Sequence, residues 1–222
     1  MDDTRQALDA ALARSGLAVV GAFHPRAGDG TPEGTATLAL IGPDGARLWP
    51  IFAASPEAHD GQPHPLDRWS KRVLAPVAAA FGARALYPFE GPPWQPFLRW
   101  AARGEGTRTS PVKMAVSPTR GLWTAYRGAL ALSERLPITP GCAADPCLDC
   151  AAPCLDACPV AAFAGAAYDV PACAAHALSE TGRPCREGCL VRRACPLAPE
   201  PPTEQRRFHM RAFLAAHGPL HA

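Results

Sequence analysis

Cysteine is the residue type in this chain whose number and spacing could do chemistry. All nine cysteines of the 222-residue chain lie between Cys142 and Cys195, and the residues before Cys142 contain none. A secreted protein stabilised by disulfides would spread its cysteines over the fold, whereas a thiol-free region joined to a cysteine-dense one is typical of a metal-binding domain in a reducing compartment. The distribution therefore predicts a chain of two parts and a cytoplasmic location.

The cysteines form two runs, each of which ends in Cys-Pro. The first run is Cys142-x4-Cys147-x2-Cys150-x3-Cys154-x3-Cys158-Pro159. After an isolated Cys173, the second run is Cys185-x3-Cys189-x5-Cys195-Pro196. In the pattern C-x2-C-x2-C-x3-C-P, which is typical of two-cluster iron–sulfur proteins, three thiolates bind one [4Fe–4S] cluster and the fourth binds the other. The first run matches this pattern with one extra residue and therefore predicts cluster ligands.

Two such clusters need eight thiolates, which is the number of cysteines that remains when Cys142 is set aside. We predict that one cluster is bound by Cys147, Cys150, Cys154 and Cys195. The other is predicted to be bound by Cys158, Cys173, Cys185 and Cys189. The spacing leaves three alternatives open: a single cluster with loose thiols, disulfides, or a structural zinc site built from Cys147 and Cys150 with Cys185 and Cys189.

The thiol-free part of the chain alternates between helical and strand patterns. Helices are predicted over Thr4–Arg14 and Ala46–Ser55, through Leu66, Trp69, Val73 and Val77, and through Trp94, Phe97, Leu98 and Ala101. Strands are predicted over Leu17–Phe23, Thr35–Ile41, Arg84–Phe89, Pro111–Ser117 and Leu122–Leu132, the last two adjacent to each other. This alternation predicts an α/β (α+β) layer architecture.

The distribution of these patterns predicts three segments. Residues 1–138 form the α/β module, residues 139–198 form the cysteine-rich domain, and residues 199–222 form a helix that packs on the core. That final helix is predicted to begin at Thr203, with one face formed by Met210, Phe213, Leu214 and His217.

Composition excludes several kinds of partner. The formal net charge is +2 and the chain has no run of Lys and Arg, which argues against nucleic acid. No stretch approaches the roughly 18 to 20 continuous apolar residues that a membrane span needs. The beginning, MDDTRQALDAAL, is acidic and then amphipathic, so we expect no export signal.

One charged residue interrupts an apolar strand pattern, namely Arg127 within GLWTAYRGALAL. A charge on a strand that is buried along most of its length must be paired or must face a ligand. The alternative is an arginine on the solvent face of an edge strand.

The segment Leu122–Cys158, an aromatic strand followed by a proline-rich exit and the first cysteine run, resembles the epoxyqueuosine reductases. Those proteins carry a corrinoid-binding module followed by two [4Fe–4S] clusters. The segments Pro65-Leu66-Asp67 and Gly121–Gly128 are similar to the CblC-type cobalamin-processing proteins, which share a nitroreductase-like module and hold cobalamin without a histidine lower ligand. The helical-repeat tail that epoxyqueuosine reductases use for tRNA has no counterpart here.

The resemblance implies a nitroreductase-like corrinoid-reductase module followed by a small ferredoxin-like domain. Electrons from an external donor, of the flavodoxin or ferredoxin-reductase type, would pass through two [4Fe–4S] clusters to a bound cobalamin, reduce its cobalt and release its upper axial ligand. In the CblC-type pattern Arg127 lies at the cofactor pocket, and we add Trp94, Trp123 and Tyr126 as pocket residues. The alternatives are a ferredoxin-like electron carrier without a corrinoid and a flavin-binding reductase.

Overall fold

The computed structural model describes residues 2–139, 141 and 144–218, so the prediction for Cys142 lies outside the described residues. The chain divides into two compact units. The first unit contains Met1–Thr107 and Ala125–Ala143, and the second, which we call the cysteine-rich unit, contains Arg108–Thr124 and Ala144–Ala222. Within the described residues, no helix has the length and apolar character needed to cross a membrane.

The regular elements are short, in keeping with the 26 prolines of the chain. The strands are β1 (Leu17–Phe23), β2 (Thr37–Pro43), β3 (Arg84–Leu86), β4 (Arg108–Thr109), β5 (Ala115–Val116) and β6 (Gly128–Leu132). The helices are α1 (Asp2–Ala13), α2 (Leu48–Ala53), α3 (Pro65–Ala80), α4 (Phe97–Gly104), α5 (Val170–Leu178), α6 (Arg183–Arg186), α7 (Leu190–Arg193) and α8 (Thr203–His217).

The first unit is built on a four-stranded sheet in the order β1-β2-β6-β3, in which every neighbouring pair is antiparallel. The two inner strands are buried along almost their whole length, because α1, α3 and α4 pack against the sheet. A core of apolar side chains, including Leu38, Leu40 and Trp100, lies between the sheet and these helices. The predicted mixture of helices and strands is therefore confirmed, in the α+β form.

Most predicted elements of the first unit are present. The strand β1 has the predicted bounds, and α1, α3 and α4 lie where helices were predicted. The predicted helix over Ala46–Ser55 begins as a 3-10 turn, Gly45–Arg47, and the predicted strand over Arg84–Phe89 is limited to β3.

The prediction of two adjacent strands over Pro111–Ser117 and Leu122–Leu132 is wrong. Only β5 and β6 are strands there, and β5 pairs with β4 rather than with β6. The chain turns at Lys113 and Gly121, where φ is +62° and +54°. The left-handed Lys113 interrupts the first predicted strand. A turn in which the Trp123 N–H donates to the Arg120 carbonyl at 3.1 Å occupies the beginning of the second.

The cysteine-rich unit consists of loops and short helices around a small apolar core. That core contains Val112, Val116, Leu122, Cys154 and Val191, so the segment Arg108–Thr124 supplies much of it. The unit therefore includes residues that the predicted boundary at 138 assigns to the α/β module. Helix α8 has the predicted start and packs on α5 and α6 within this unit.

Candidate metal centre

The eight described cysteines are all free thiols in the cysteine-rich unit. The first four lie on the loops before α5, where prolines and left-handed residues prevent regular structure. Cys173 lies on α5, Cys185 lies on α6, and Cys189 and Cys195 flank α7. Short helices separated by single turns thus present the later thiols, and tight loops present the earlier ones.

Four of these thiols line one cavity: Cys147, Cys150, Cys154 and Cys195. We call them the first thiol group. The other walls of the cavity are mostly apolar and include Val116, Leu122 and Leu197. Burial raises the pKa of the Cys147 and Cys154 thiols, and the neighbouring thiols of the same group raise it further. The four sulfurs are therefore close enough to interact electrostatically.

The other four thiols, Cys158, Cys173, Cys185 and Cys189, form the second thiol group. Burial raises the pKa of Cys173, and it raises the pKa of Cys185 to about 11, with a further contribution from the other members of the group. Cysteine binds a metal as the thiolate. A metal that binds these thiols must therefore displace their protons at neutral pH.

An aromatic residue, Tyr168, lies near the second group. Burial, together with the neighbouring thiols of Cys173, Cys189 and Cys158, raises the pKa of the Tyr168 hydroxyl. Its ring stacks on Phe163 with a centroid distance of 4.5 Å and an interplanar angle of 3°. The stacking on Phe163 holds the Tyr168 ring in place.

Backbone amides are directed at one sulfur in each group. The N–H of Ala152 donates to Cys150 Sγ at 3.4 Å, and the N–H of Ala162 donates to Cys158 Sγ at 3.3 Å. Ala152 and Ala161 have φ of +51° and +50°, which turns the chain sharply behind each cysteine. Amide hydrogen bonds of this kind stabilise a thiolate and adjust the reduction potential of a cluster bound to it.

A buried hydroxyl in the wall of the cavity has no partner. Ser110 is 5% exposed, and its Oγ makes no hydrogen bond among the described residues. An unsatisfied buried hydroxyl costs about 1–3 kcal/mol. Four thiols and mostly apolar walls are a chemically suitable set for a [4Fe–4S] cluster.

Cysteines of both groups pack against the same small core. Cys147, Cys154 and Cys195 of the first group and Cys158 and Cys189 of the second group belong to the apolar cluster that Val112, Val116, Leu122 and Val191 form. The guanidinium of Arg192 donates to the Leu122 carbonyl at 3.1 Å and links this core to α7. The two thiol groups are therefore neighbours within one packed unit.

Within the described residues, no set of three or more Cys, His, Asp or Glu side chains is drawn together closely enough to hold a single metal ion. Thiolates around one zinc ion bind at about 2.3 Å in a tetrahedron. In a [4Fe–4S] cube each thiolate binds a different iron, so its ligands lie farther apart.

The predicted pocket residue Arg127 lies next to β6, an inner strand of the sheet, and its side chain is 15% exposed. Its Nη1 lies 3.3 Å from Asp67 Oδ1, and its Nε donates to the Tyr126 carbonyl at 3.1 Å. Burial lowers the pKa of the guanidinium, and Asp67 opposes that shift. The alternative of a solvent-facing arginine on an edge strand is therefore wrong, because this charge is buried and paired.

The three predicted aromatic pocket residues are in different surroundings. Tyr126 is buried in the first unit, where its hydroxyl donates to Glu105. Trp94 belongs to the same unit and is 64% exposed. Trp123 belongs to the cysteine-rich unit, and its buried Nε1 has no hydrogen-bond partner among the described residues. Tyr126 and Arg127 belong to the first unit and are joined by the hydrogen bond from Arg127 Nε to the Tyr126 carbonyl. Trp123 belongs to the other unit.

A glycine in the loop before Leu122, Gly121, also lies close to the first thiol group. A Cβ added at Gly121 would lie 2.9 Å from Cys195 Sγ. The N–H and C=O of Gly121 each bond to Ser117 at 3.0 Å, which closes a tight turn. Ser110, Gly121 and Tyr168 are therefore site residues that spacing between cysteines could not reveal.

No protein-family model, curated protein or solved structure matches this chain. Its function therefore has to be inferred from the thiol groups and from the contacts around them.

Proposed function

We propose that the cysteine-rich unit holds two [4Fe–4S] clusters and transfers electrons. The observation that carries this proposal is the cavity that four free cysteines line, with four more free cysteines in the same unit. The groups have the same members as the two ligand sets that the cysteine spacing predicts. Each group has the four thiolates that a cube needs.

In this proposal the first thiol group holds one cluster and the second thiol group holds the other. When bound, such clusters supply one-electron transfer at potentials that hydrogen bonding and burial adjust. The chain contributes the amides of Ala152 and Ala162 as donors to the sulfurs. The walls of the cavity around the first group are mostly apolar. Because free thiols persist in a reducing compartment, we propose a cytoplasmic location.

The metal content tests the proposal directly. Protein purified and reconstituted under nitrogen should contain about eight irons and about eight acid-labile sulfides per chain, since each cube holds four of each. Its visible absorption should decrease when dithionite reduces the clusters. Zinc content, measured on the same sample, separates the alternatives: stoichiometric zinc with no sulfide would contradict the proposal, and about four irons would limit it to one cluster.

We propose a cobalamin, bound by the first unit, as the electron acceptor. The support is the resemblance to cobalamin-processing proteins together with one contact: the ion pair between Asp67 and Arg127 joins the two segments that carry the resemblance. Arg127 would help to hold the cobalamin, which would supply a metal centre that accepts electrons and releases a bound anion such as cyanide. An electron carrier without a corrinoid and a flavin-binding reductase are the alternatives.

Replacing Arg127 with Ala should weaken the binding of hydroxocobalamin about tenfold, because a buried, positioned guanidinium is lost and Asp67 is left without its partner. The measurement is a spectrophotometric titration under nitrogen, with thermal melting to show that the variant is folded. Arg84→Ala, which removes an exposed arginine of the same unit, should bind as the unchanged protein does. If Arg127→Ala binds equally well, the pocket assignment is wrong, and if the unchanged protein binds no cobalamin, the carrier alternative is favoured.

A further inference from the structure

The loops that carry the first thiol group contain a short repeat. Pro146-Cys147-Leu148-Asp149 is followed seven residues later by Pro153-Cys154-Leu155-Asp156. In both copies the cysteine lines the cavity and the leucine does not pack inside: Leu148 is 79% exposed and Leu155 is 54% exposed. Two large apolar side chains at equivalent positions of a repeat are not scattered surface residues, and together they indicate a contact surface.

Both copies of the repeat lie at the same cavity, since Pro146, Cys147, Pro153 and Cys154 line it. Cys147 and Cys154 line the same cavity, and each exposed leucine directly follows one of these cysteines in the chain. We call Leu148, Asp149, Leu155 and Asp156 the Leu-Asp surface. A molecule bound there would lie beside the first thiol group, which shortens the path for electron transfer to a cluster held by that group.

The segment of chain that carries this surface has acidic residues but no Lys or Arg. Between Leu136 and Gly182 the chain contains no Lys or Arg, whereas it contains Asp145, Asp149, Asp156, Asp169 and Glu180. The carboxylate of Asp145 accepts the Cys147 N–H at 2.9 Å and thereby holds the first loop. Asp149 and Asp156 are exposed, and among the described residues they make no hydrogen bond or ion pair. Their charge is therefore available to a partner.

We propose that the Leu-Asp surface is the docking site for a redox protein whose contact face has an apolar centre surrounded by Lys and Arg. This inference rests on the proposed electron-transfer function and names the surface and the partner chemistry for it. The exposed leucines would give the contact its apolar centre, and the aspartates would steer a basic partner toward it. A surface of this kind favours fast, short-lived association, as electron transfer between proteins requires.

Mitochondrial cytochrome c, a basic haem protein, is a suitable probe because it carries this chemistry. The chain is reduced with dithionite, the excess is removed, and each electron that it gives up reduces one ferric haem. We expect a second-order rate constant that falls at least tenfold between low salt and about 0.5 M salt, where charges on separate molecules are screened. Calorimetric titration with oxidised cytochrome c measures the same docking without requiring electron transfer.

Two double variants test the two parts of the surface. Asp149→Lys with Asp156→Lys should lower the low-salt rate and the affinity at least tenfold, and Leu148→Ser with Leu155→Ser should lower both about fivefold at every salt concentration. The matched control is Asp3→Lys with Glu33→Lys, which makes the same change of charge at exposed positions of the first unit and should stay within about twofold. Asp149→Asn with Asp156→Asn serves where the lysine variant does not fold.

The outcomes separate this proposal from the proposed function. Equal losses in the aspartate variant and in the control would show that only total charge matters and would overturn the docking site. The docking site would also be overturned if the leucine variant had the same iron content, rates and affinity as the unchanged protein. A chain without iron and sulfide would contradict the electron-transfer function, while the calorimetric titration would still decide whether the surface binds a basic protein.

Discussion

Replacing Cys189 with Ser should reduce the iron content of the reconstituted chain from about eight to about four per molecule, because the second thiol group then has three thiolates and a cube needs four. Cys189 interacts with Cys173 and Cys185 of that group, and it lies at the beginning of α7. The first thiol group keeps all four members in this variant. Iron and sulfide analysis together with electron paramagnetic resonance of the reduced protein measures the loss.

The matched controls are two further cysteine variants. Cys147→Ser should also leave about four irons, but in the other thiol group, so the signals that remain should differ from those of the Cys189 variant. Cys142→Ser should keep about eight irons, since eight other thiolates satisfy two clusters. Iron in the Cys189 variant equal to that in the Cys142 variant would show that the second thiol group holds no cluster. A zinc site shared by Cys147, Cys150, Cys185 and Cys189 would instead be lost completely in either of the first two variants.

The sequence was informative about the cysteines for a simple reason. Ligands two to four residues apart can reach one centre whatever the surrounding fold. The proline after the last cysteine of each run prevents the chain from continuing as a helix. The spacing thus suggested which thiols belong together, and four of them, Cys147, Cys150, Cys154 and Cys195, line one cavity. Cluster binding itself stays a prediction until the metal content is measured.

The boundary between the two units could not be read from the same patterns. The apolar residues Val112, Val116 and Leu122 look like strand residues of the preceding module, and periodicity shows that they are buried but not which core buries them. The apolar pattern over Leu122–Leu132 begins in the cysteine-rich unit and ends in the first unit. The division lies between Thr124 and Ala125. Packing between residues that are far apart in the chain decides which of the two units buries each apolar residue.

Arg127 shows a second kind of limit. A buried charge must be paired, but the sequence offered no means of choosing its partner from residues far along the chain. The partner is Asp67, sixty residues away and on α3. The same limit applies to Ser110 and Tyr168, whose roles depend on which cavity or sulfur they face.

Replacing Gly121 with Ala should remove iron from the first thiol group while the second group keeps its iron, giving about four irons per chain. The added Cβ would lie 2.9 Å from Cys195 Sγ and 3.2 Å from the Leu197 Cβ. Paired bonds to Ser117 on both the N–H and the C=O of Gly121 hold this turn in place. The sulfur of Cys195 must therefore move, and a ligand displaced from its position in a rigid cavity no longer completes the set of four.

The steric effect can be separated from backbone strain, because alanine at a positive φ costs about 1–2 kcal/mol anywhere. Gly34→Ala has the same kind of strain at φ +77° but nothing within 4 Å of the new Cβ, so it should lower the melting temperature and keep about eight irons. Gly121→Asn tolerates the left-handed conformation better and still carries the Cβ, so it should lose iron as Gly121→Ala does. If Gly121→Asn keeps all its iron while Gly121→Ala loses it, backbone strain rather than contact with Cys195 controls the first thiol group. If both variants keep about eight irons, the position of the Cys195 sulfur does not control cluster binding by the first thiol group.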